Sequence, residues 1–395
     1  MIVNSRNAIL VVAALGASMA LAMAGAHAQS SLVTGHSASL QAAAAQSGTQ
    51  QPAVPPAQAP RPSMAGKKAG EYYKNLQVLK DIDADQLLPS MDFIVASLGV
   101  ECENCHVDGA REKDDKKAKL TARKMMQMTM DINKNSFDDQ RKVTCFSCHR
   151  GAEQPVPTPI IPDVAPVRRA ANQQEPALPT VDQLLEKYAQ AVGGTANLQK
   201  INSRVMKGNV LFGDTKSPID LYAKAPNKRI SFSHSQNGDS MTAFDGTNGW
   251  LGNTGRPARD MTPTEAASAK IDADFSLALD LKQNFQRLRV LRPEKIGDKE
   301  FYVLAGQVQG LPPVRFYFDE QTGLLSRVYR ATETALGRMP VQIDYSDYRE
   351  SDGIKIPFRW TLARMNGRFT IQLDSVQQNV PIDDSKFTKP AAPTQ

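Results

Sequence analysis

The 395-residue chain contains four cysteines, and all of them fall in two short runs that end in histidine. The first run is Cys102-Glu103-Asn104-Cys105-His106, and the second is Cys145-Phe146-Ser147-Cys148-His149. A spacing of i, i+3 sets two thiols along one side of a single helical turn. There the two vinyl groups of a haem can each become a thioether, and the adjacent imidazole reaches the iron as proximal ligand. Two Cys-x-x-Cys pairs could instead supply a four-ligand zinc site, or each could close as a redox disulfide. Neither alternative explains why histidine follows both second cysteines in a chain with five histidines. The pattern predicts two covalently attached haem c groups, with iron ligands His106 and His149.

The sixth ligand narrows by elimination. His27 lies in an expected signal segment and His36 in a low-complexity stretch. His234 is then the one remaining histidine in a region expected to fold. Two bis-histidine irons are therefore excluded within one chain, and a methionine thioether is the natural partner, which raises the reduction potential. Met91 lies 15 residues before His106. Met125, Met126, Met128 and Met130 lie before the second motif. For any single methionine, packing against the core is the simpler role. One of them is nonetheless expected on the second iron, and Met125 or Met128 is better placed than Met126.

Two helices would have to carry these groups. Residues 84–98 read as a helix with Leu87, Leu88, Met91, Ile94 and Leu98 on one face. Residues 121–134 read as another, with Met125, Met128 and Ile132 on one face and Met126 and Met130 on a second. Asp81, Asp83, Asp85, Asp92, Glu101, Glu103 and Asp108 are uninterrupted by Lys or Arg, and residues 111–124 are then lysine-rich. Such a polarity is ordinary solvated surface or an acidic docking face for a basic redox partner, which would act on association rate.

The rest of the chain supplies export and a second unit. Arg6, an apolar run from Ile9 to Ala22 and Ala26-His27-Ala28 read as a signal peptide, 1–28, cleaved near Ala28. Residues 29–70 read as a disordered Ala/Gln/Pro-rich tether, 71–152 as a small all-α dihaem cytochrome c module and 153–179 as a Pro-rich linker. Residues 180–395 read as an α+β antiparallel domain. A helix over 181–192 closes at Gly193-Gly194, alternating strand runs follow, and a helical insertion over 262–281 is capped by Thr262 with Glu265. A formal charge of +6, spread without a long basic tract, gives no footprint for nucleic acid.

Asn75-Leu-Gln-Val-Leu-Lys, Ala122-Arg-Lys-Met-Met-Gln-Met and Val143-Thr-Cys-Phe-Ser-Cys-His-Arg-Gly resemble the cytochrome c subunit of photosynthetic reaction centres over residues 72–152. The resemblance implies haem sites built from a methionine-bearing helix, a turn and an attachment helix. It implies Met91 with His106 on the first iron, and Met125 with His149 on the second. The family typically carries four haems, whereas this chain has motifs for two, lacks a lipid-attachment cysteine and adds a large C-terminal part. That part more distantly resembles the half-barrel of outer-membrane lipoprotein-sorting proteins, in which a curved antiparallel sheet wraps helices around an apolar cavity.

The expectation is a periplasmic dihaem electron carrier rather than an enzyme, exchanging single electrons with redox proteins. The C-terminal domain would bind an apolar molecule, an envelope component or a partner. The alternatives are a haem oxidoreductase or peroxidase with a displaceable axial ligand, or a redox sensor in which the half-barrel binds an apolar ligand.

Overall fold

The computed structural model describes residue 64 and residues 66–155, 177–235, 238–254, 256–365 and 367–390. The signal segment, most of the tether, residues 156–176 of the linker, His27 and His36 lie outside these.

The first part is helical: α1 (Ala69–Tyr72), a 3-10 turn at Ala84–Gln86, α2 (Leu87–Leu98), α3 (Cys102–Cys105), α4 (Lys117–Ser136) and α5 (Cys145–His149). In α2 the buried positions are Leu87, Ser90, Phe93, Ile94 and Ser97, the i, i+3, i+4 stripe expected of a helix packed on one side. Ser90 and Ser97 can lie in that stripe because each hydroxyl donates to the carbonyl four residues back, at 2.8 and 2.6 Å. Gly99 ends α2 in the left-handed region, with φ +67. A side chain there would overlap the carbonyl of Gly151, whose own N–H donates to Ser97 O at 2.9 Å. That close approach packs the end of α2 against α5.

The second part begins with α6 (Val181–Ala191) and α7 (Thr195–Leu198), then β1 (Ser203–Phe212), β2 (Thr215–Lys224), β3 (Lys228–Ser233), β4 (Ser240–Phe244), β5 (Gly249–Asn253) and β6 (Arg256–Asp260). Helices α8 (Pro263–Ala273) and α9 (Leu277–Asn284) follow. After them come β7 (Arg287–Ile296), β8 (Lys299–Gln307), β9 (Val314–Asp319), β10 (Leu325–Glu333), β11 (Arg338–Ser351), β12 (Ile354–Arg364) and β13 (Gly367–Gln378). These form one antiparallel open sheet of 13 strands, ordered β6-β5-β4-β3-β2-β1-β13-β12-β11-β10-β9-β8-β7. The chain starts at the middle and steps outward to the β6 edge. It then crosses through α8 and α9 to the opposite edge and steps back until β13 pairs with β1.

The largest core lies between this sheet and its helices: Leu184, Leu185 and Tyr188 of α6 and Leu281 of α9 join Leu221, Leu304, Phe316, Phe318, Val328 and Leu373. Two strands, β5 and β6, were not expected from sequence. Gly249 is the first residue of β5, and a tight turn precedes it, where the Asp245 carboxylate accepts the N–H of Thr247 and Asn248. The apolar run over 356–376 divides into β12 and β13, and the helical insertion divides into α8 and α9 at Asp274, whose carboxylate accepts the Ser276 N–H. The expected cap of α8 is present, with Thr262 Oγ1 accepting from Glu265 N–H and Glu265 accepting from Thr262 N–H.

The turn between β10 and β11 meets the helical part. Leu336 and Met339 pack with Leu79, Phe93, Ile94 and Met126. A side chain at Gly337 would overlap the Phe93 ring. The Arg141 guanidinium donates to Thr334 O and pairs with Glu333 at 3.5 Å.

Candidate functional site

Each cysteine run forms one helical turn, α3 or α5, which is the local structure that i, i+3 thiols require. All four thiols are free, and none is fully buried. Burial pushes the Cys105 and Cys145 thiols up, the opposite of what a thiolate nucleophile or metal ligand needs. Among the described residues, no group of three or more His, Cys, Asp or Glu side chains is disposed to hold a metal ion. The two pairs thus do not converge on one zinc, and neither is closed as a disulfide.

The two imidazoles share one arrangement. His106 Nδ1 lies 3.0 Å from Arg111 O, and His149 Nδ1 lies 3.1 Å from Ala152 O and 3.0 Å from Glu153 O. A carbonyl oxygen can only accept, so in both residues Nδ1 carries the proton, which leaves Nε2 as the ring nitrogen that a metal can take. That is the tautomer an iron ligand needs, and the carbonyls fix the ring orientation as well.

Each motif is tied down by one buried polar side chain of α4. Lys119 is 8% exposed, and its ammonium donates to Arg111 O at 2.9 Å, Glu112 O at 3.0 Å and Lys113 O at 2.7 Å. It also pairs with Asp114 at 3.0 Å. Arg123 and Lys119 together hold the Asp114 carboxyl well below the usual carboxylate range. Arg123 reaches Asn75 O at 3.0 Å, and the Asn75 amide reaches Glu112 O. The loop that supplies the carbonyl for His106 is therefore gathered around Lys119. At the other end, Asn133 is 4% exposed; its Oδ1 accepts from Lys142 N–H at 3.0 Å and Val143 N–H at 2.9 Å. Its Nδ2 donates to Thr129 O at 3.0 Å and Val143 O at 2.7 Å. All four hydrogen-bonding positions of that amide are used, and the residues held are those that lead into Cys145.

Sequence reasoning missed both residues. Lys119 sits in a lysine-rich run that reads as surface, and Asn133 near a helix end that reads as solvated. A polar residue one or two turns from a motif was the available signal, but burial alone reveals its role.

Burial separates the methionines, though not strictly by face, since Met130, one turn beyond the buried Met126, is exposed. Met126 is buried, packing with Phe93 and Ile94. Met125, Met128 and Met130 are exposed, and Met91 is half-buried beside the same cluster, which Cys145 also joins. Leu120 and Phe146 are exposed as well. Helix α2 packs against α5, and α3 against α4, so the Met91 helix contacts the attachment turn of the second motif. Among the acidic residues, Asp85 and Asp92 are half-buried and face arginines of the sheet, Arg259 and Arg364 respectively. The remaining five carboxylates are exposed. His234 lies between Asp239, at 2.9 Å, and Asp220, at 3.5 Å, and the Asp239 hydrogen bond raises its pKa. Trp250 is core, as a packing role requires.

Residues 26–190 match the family model of the photosynthetic reaction centre cytochrome C subunit. The match extends beyond the 72–152 stretch that carries the motifs. The photosynthetic reaction center cytochrome c subunit of Thermochromatium tepidum is 33% identical over 102 residues, 25% of this chain and 25% of that protein. The corresponding subunit of Roseobacter denitrificans is 34% identical over 112 residues, 26% of this chain and 30% of that protein. The chain therefore spans under a third of the length of these two relatives. Solved structures of similar shape include a LolA superfamily protein from Nitrosomonas europaea, with TM-score 0.38, 15% identity and coverage of 54% of this chain and 99% of that one. A putative outer membrane lipoprotein-sorting protein domain from Vibrio parahaemolyticus has TM-score 0.35 and 8% identity, covering 48% of this chain and 90% of that one. The helical part thus resembles the cytochrome subunit that its motifs indicated.

Replacing Asn133 by Ala removes the one oxygen that accepts both the Lys142 and Val143 amides and should cost about 1–3 kcal/mol. Hydrogen–deuterium exchange of the full chain should show those two amides losing protection, with the sheet unaffected. Unchanged protection at both would show that Asn133 does not hold the segment.

Proposed function

We propose that this protein is an exported dihaem c-type cytochrome that carries single electrons between redox proteins in the periplasm. The observation that supports it most directly is the repeated site: a one-turn helix presenting two free thiols, followed by an imidazole whose Nδ1 proton is committed to a backbone carbonyl. A zinc site needs the pairs to meet, and a redox disulfide has no use for a fixed imidazole tautomer. Haem c supplies, when bound, a one-electron iron couple tuned by its axial ligands. Cys102 and Cys105 would attach one group and Cys145 and Cys148 the other, with His106 and His149 giving Nε2 to the irons. The exposed apolar side chains Leu120, Met125, Met128 and Phe146 are the kind of surface a porphyrin covers.

Met91 and Met125 would be the second axial ligands, paired with His106 and His149. With those four side chains on the irons, no position would remain there for a substrate, and the protein would act as a carrier. In this reading residues 1–28 are a signal peptide removed near Ala28, 71–152 form the haem module and 180–395 a separate module. The five exposed carboxylates among residues 81–108 offer a docking face to a basic partner.

Met91→Ala and Met125→Ala should each remove about half of the near-infrared methionine–ferric charge-transfer absorption, and Met126→Ala should leave it intact. Cyanide binding by the oxidised wild-type protein without denaturant would contradict two filled axial positions.

The Arg111 carbonyl accepts from both His106 Nδ1–H and the Lys119 ammonium. Removing the cation frees the carbonyl to bond the imidazole more strongly, makes that imidazole a better donor and withdraws a positive charge; each effect favours the ferric state. In Lys119→Met, one of two potentials in a redox titration should fall by tens of millivolts, ~60 mV corresponding to about 1.4 kcal/mol for one electron. The other should stay in place; two unchanged potentials would separate Lys119 from the first site.

A further inference from the structure

Between the sheet and helices α6, α8 and α9 lies a cavity of about 700 Å³, within the range of ~300–1,000 Å³ that accommodates a small-molecule ligand. Much of its wall is apolar, including Leu251, Phe369 and Ile371. Its charged lining is unbalanced: Arg204, Arg229, Arg330, Lys355 and Arg364 face three carboxylates, Glu265, Asp272 and Asp274. Those carboxylates are already engaged. Asp272 takes both arms of Arg330, at 2.9 and 2.8 Å, and Glu265 takes both arms of Arg259, at 2.8 and 2.7 Å. Asp274 accepts from Ser276 N–H and the Asn284 amide.

Among the described residues, Arg204 and Arg229 have no carboxylate partner. Arg204 donates to the Gln378 side-chain oxygen at 3.4 and 3.2 Å and stands 4.8 Å from the centre of the Phe275 ring. Arg229 donates to Asp272 O at 3.2 Å. Burial, and next the repulsion of Arg229, lower Arg204 to about 10. The Tyr188 ring lies close enough to interact with Arg204, and Tyr345 with Arg229. Both tyrosines line the cavity, and neither hydroxyl has a hydrogen-bond partner among the described residues. Tyr188 is 8% exposed. Two guanidinium groups and two free hydroxyls thus gather at one region of an otherwise largely apolar chamber. Desolvated cations without counter-charge are costly, and guanidinium pairs best with a planar or tetrahedral oxyanion.

We propose that this cavity binds a single-chain amphiphile, with its carboxylate or phosphate head on Arg204, Arg229, Tyr188 and Tyr345 and its alkyl tail along the apolar wall. The anion completes the charge that the chain leaves open, and the tail fills a volume the side chains do not. This site is independent of the haem reading, since every group in it belongs to the sheet or its helices.

Isothermal titration calorimetry of the delipidated full-length protein tests it with sodium decanoate, decyl phosphate, 1-decanol and inorganic phosphate. Decanoate or decyl phosphate should bind at least tenfold more tightly than decanol and than phosphate. Arg204→Met should erase most of that difference, and Arg204→Lys, which keeps the charge, should retain part of it. Arg204→Met removes an unpaired cation, so its thermal unfolding without ligand should occur at or above the wild-type temperature. Equal binding of decanol and decanoate, binding of phosphate as tight as that of the amphiphiles, or no binding by any of them would overturn the proposal. Should Arg204→Met fail to fold, the four wild-type titrations decide it alone.

Discussion

A neutral imidazole offers Nε2 to a metal when Nδ1 carries the proton, and a fixed acceptor opposite Nδ1 selects that tautomer and orients the ring. Much of the helical part serves that requirement. The acceptors are backbone carbonyls in short loops, so each loop must be held, and the holding is done from α4 near its two ends. Lys119 gathers three successive carbonyls behind the first motif, and Asn133 fixes the approach to the second. One helix thereby sets the geometry of both sites, while its exposed face carries Met125 and Met128 and its buried face carries Met126.

The candidate site was legible in the sequence because its residues are contiguous: spacing alone places two thiols and an imidazole on one turn. It also showed the methionine helices, since their apolar period is local. The supporting carbonyls were not legible, because a main-chain oxygen has no residue type. Nor was the burial of Lys119, since a lysine among lysines reads as solvent-facing until a fold closes over it. In the sheet, alternation located most strands, whereas β5 and β6 escaped. Gly249 and Gly252 interrupt the pattern of β5, and Arg256-Pro-Ala-Arg-Asp260 has no apolar alternation at all. The division of 356–376 was signalled by Asn366-Gly367, a strong hairpin dipeptide that the apolar content of its flanks obscured.

The sheet has its own logic. Because the chain leaves from the centre, reaches one edge and returns from the other, α8 and α9 must cross between edges. A helical layer and a cavity beneath it follow from that path. The contact with the helical part is made by the β10–β11 turn, where the absence of a side chain at Gly337 admits the Phe93 ring. Arg364, which lines the cavity, also faces Asp92, the neighbour of Met91. The cavity wall and α2 are thus linked by the attraction of one arginine for one carboxylate.

The account stands on two covalent porphyrins. Intact mass measurement of the exported full-length protein, followed by alkylation of the denatured chain, tests it most directly. The mass should exceed that of the processed polypeptide by two haem groups, with no cysteine left to alkylate. A polypeptide of unmodified mass with four reactive thiols, or with a single haem, would contradict it.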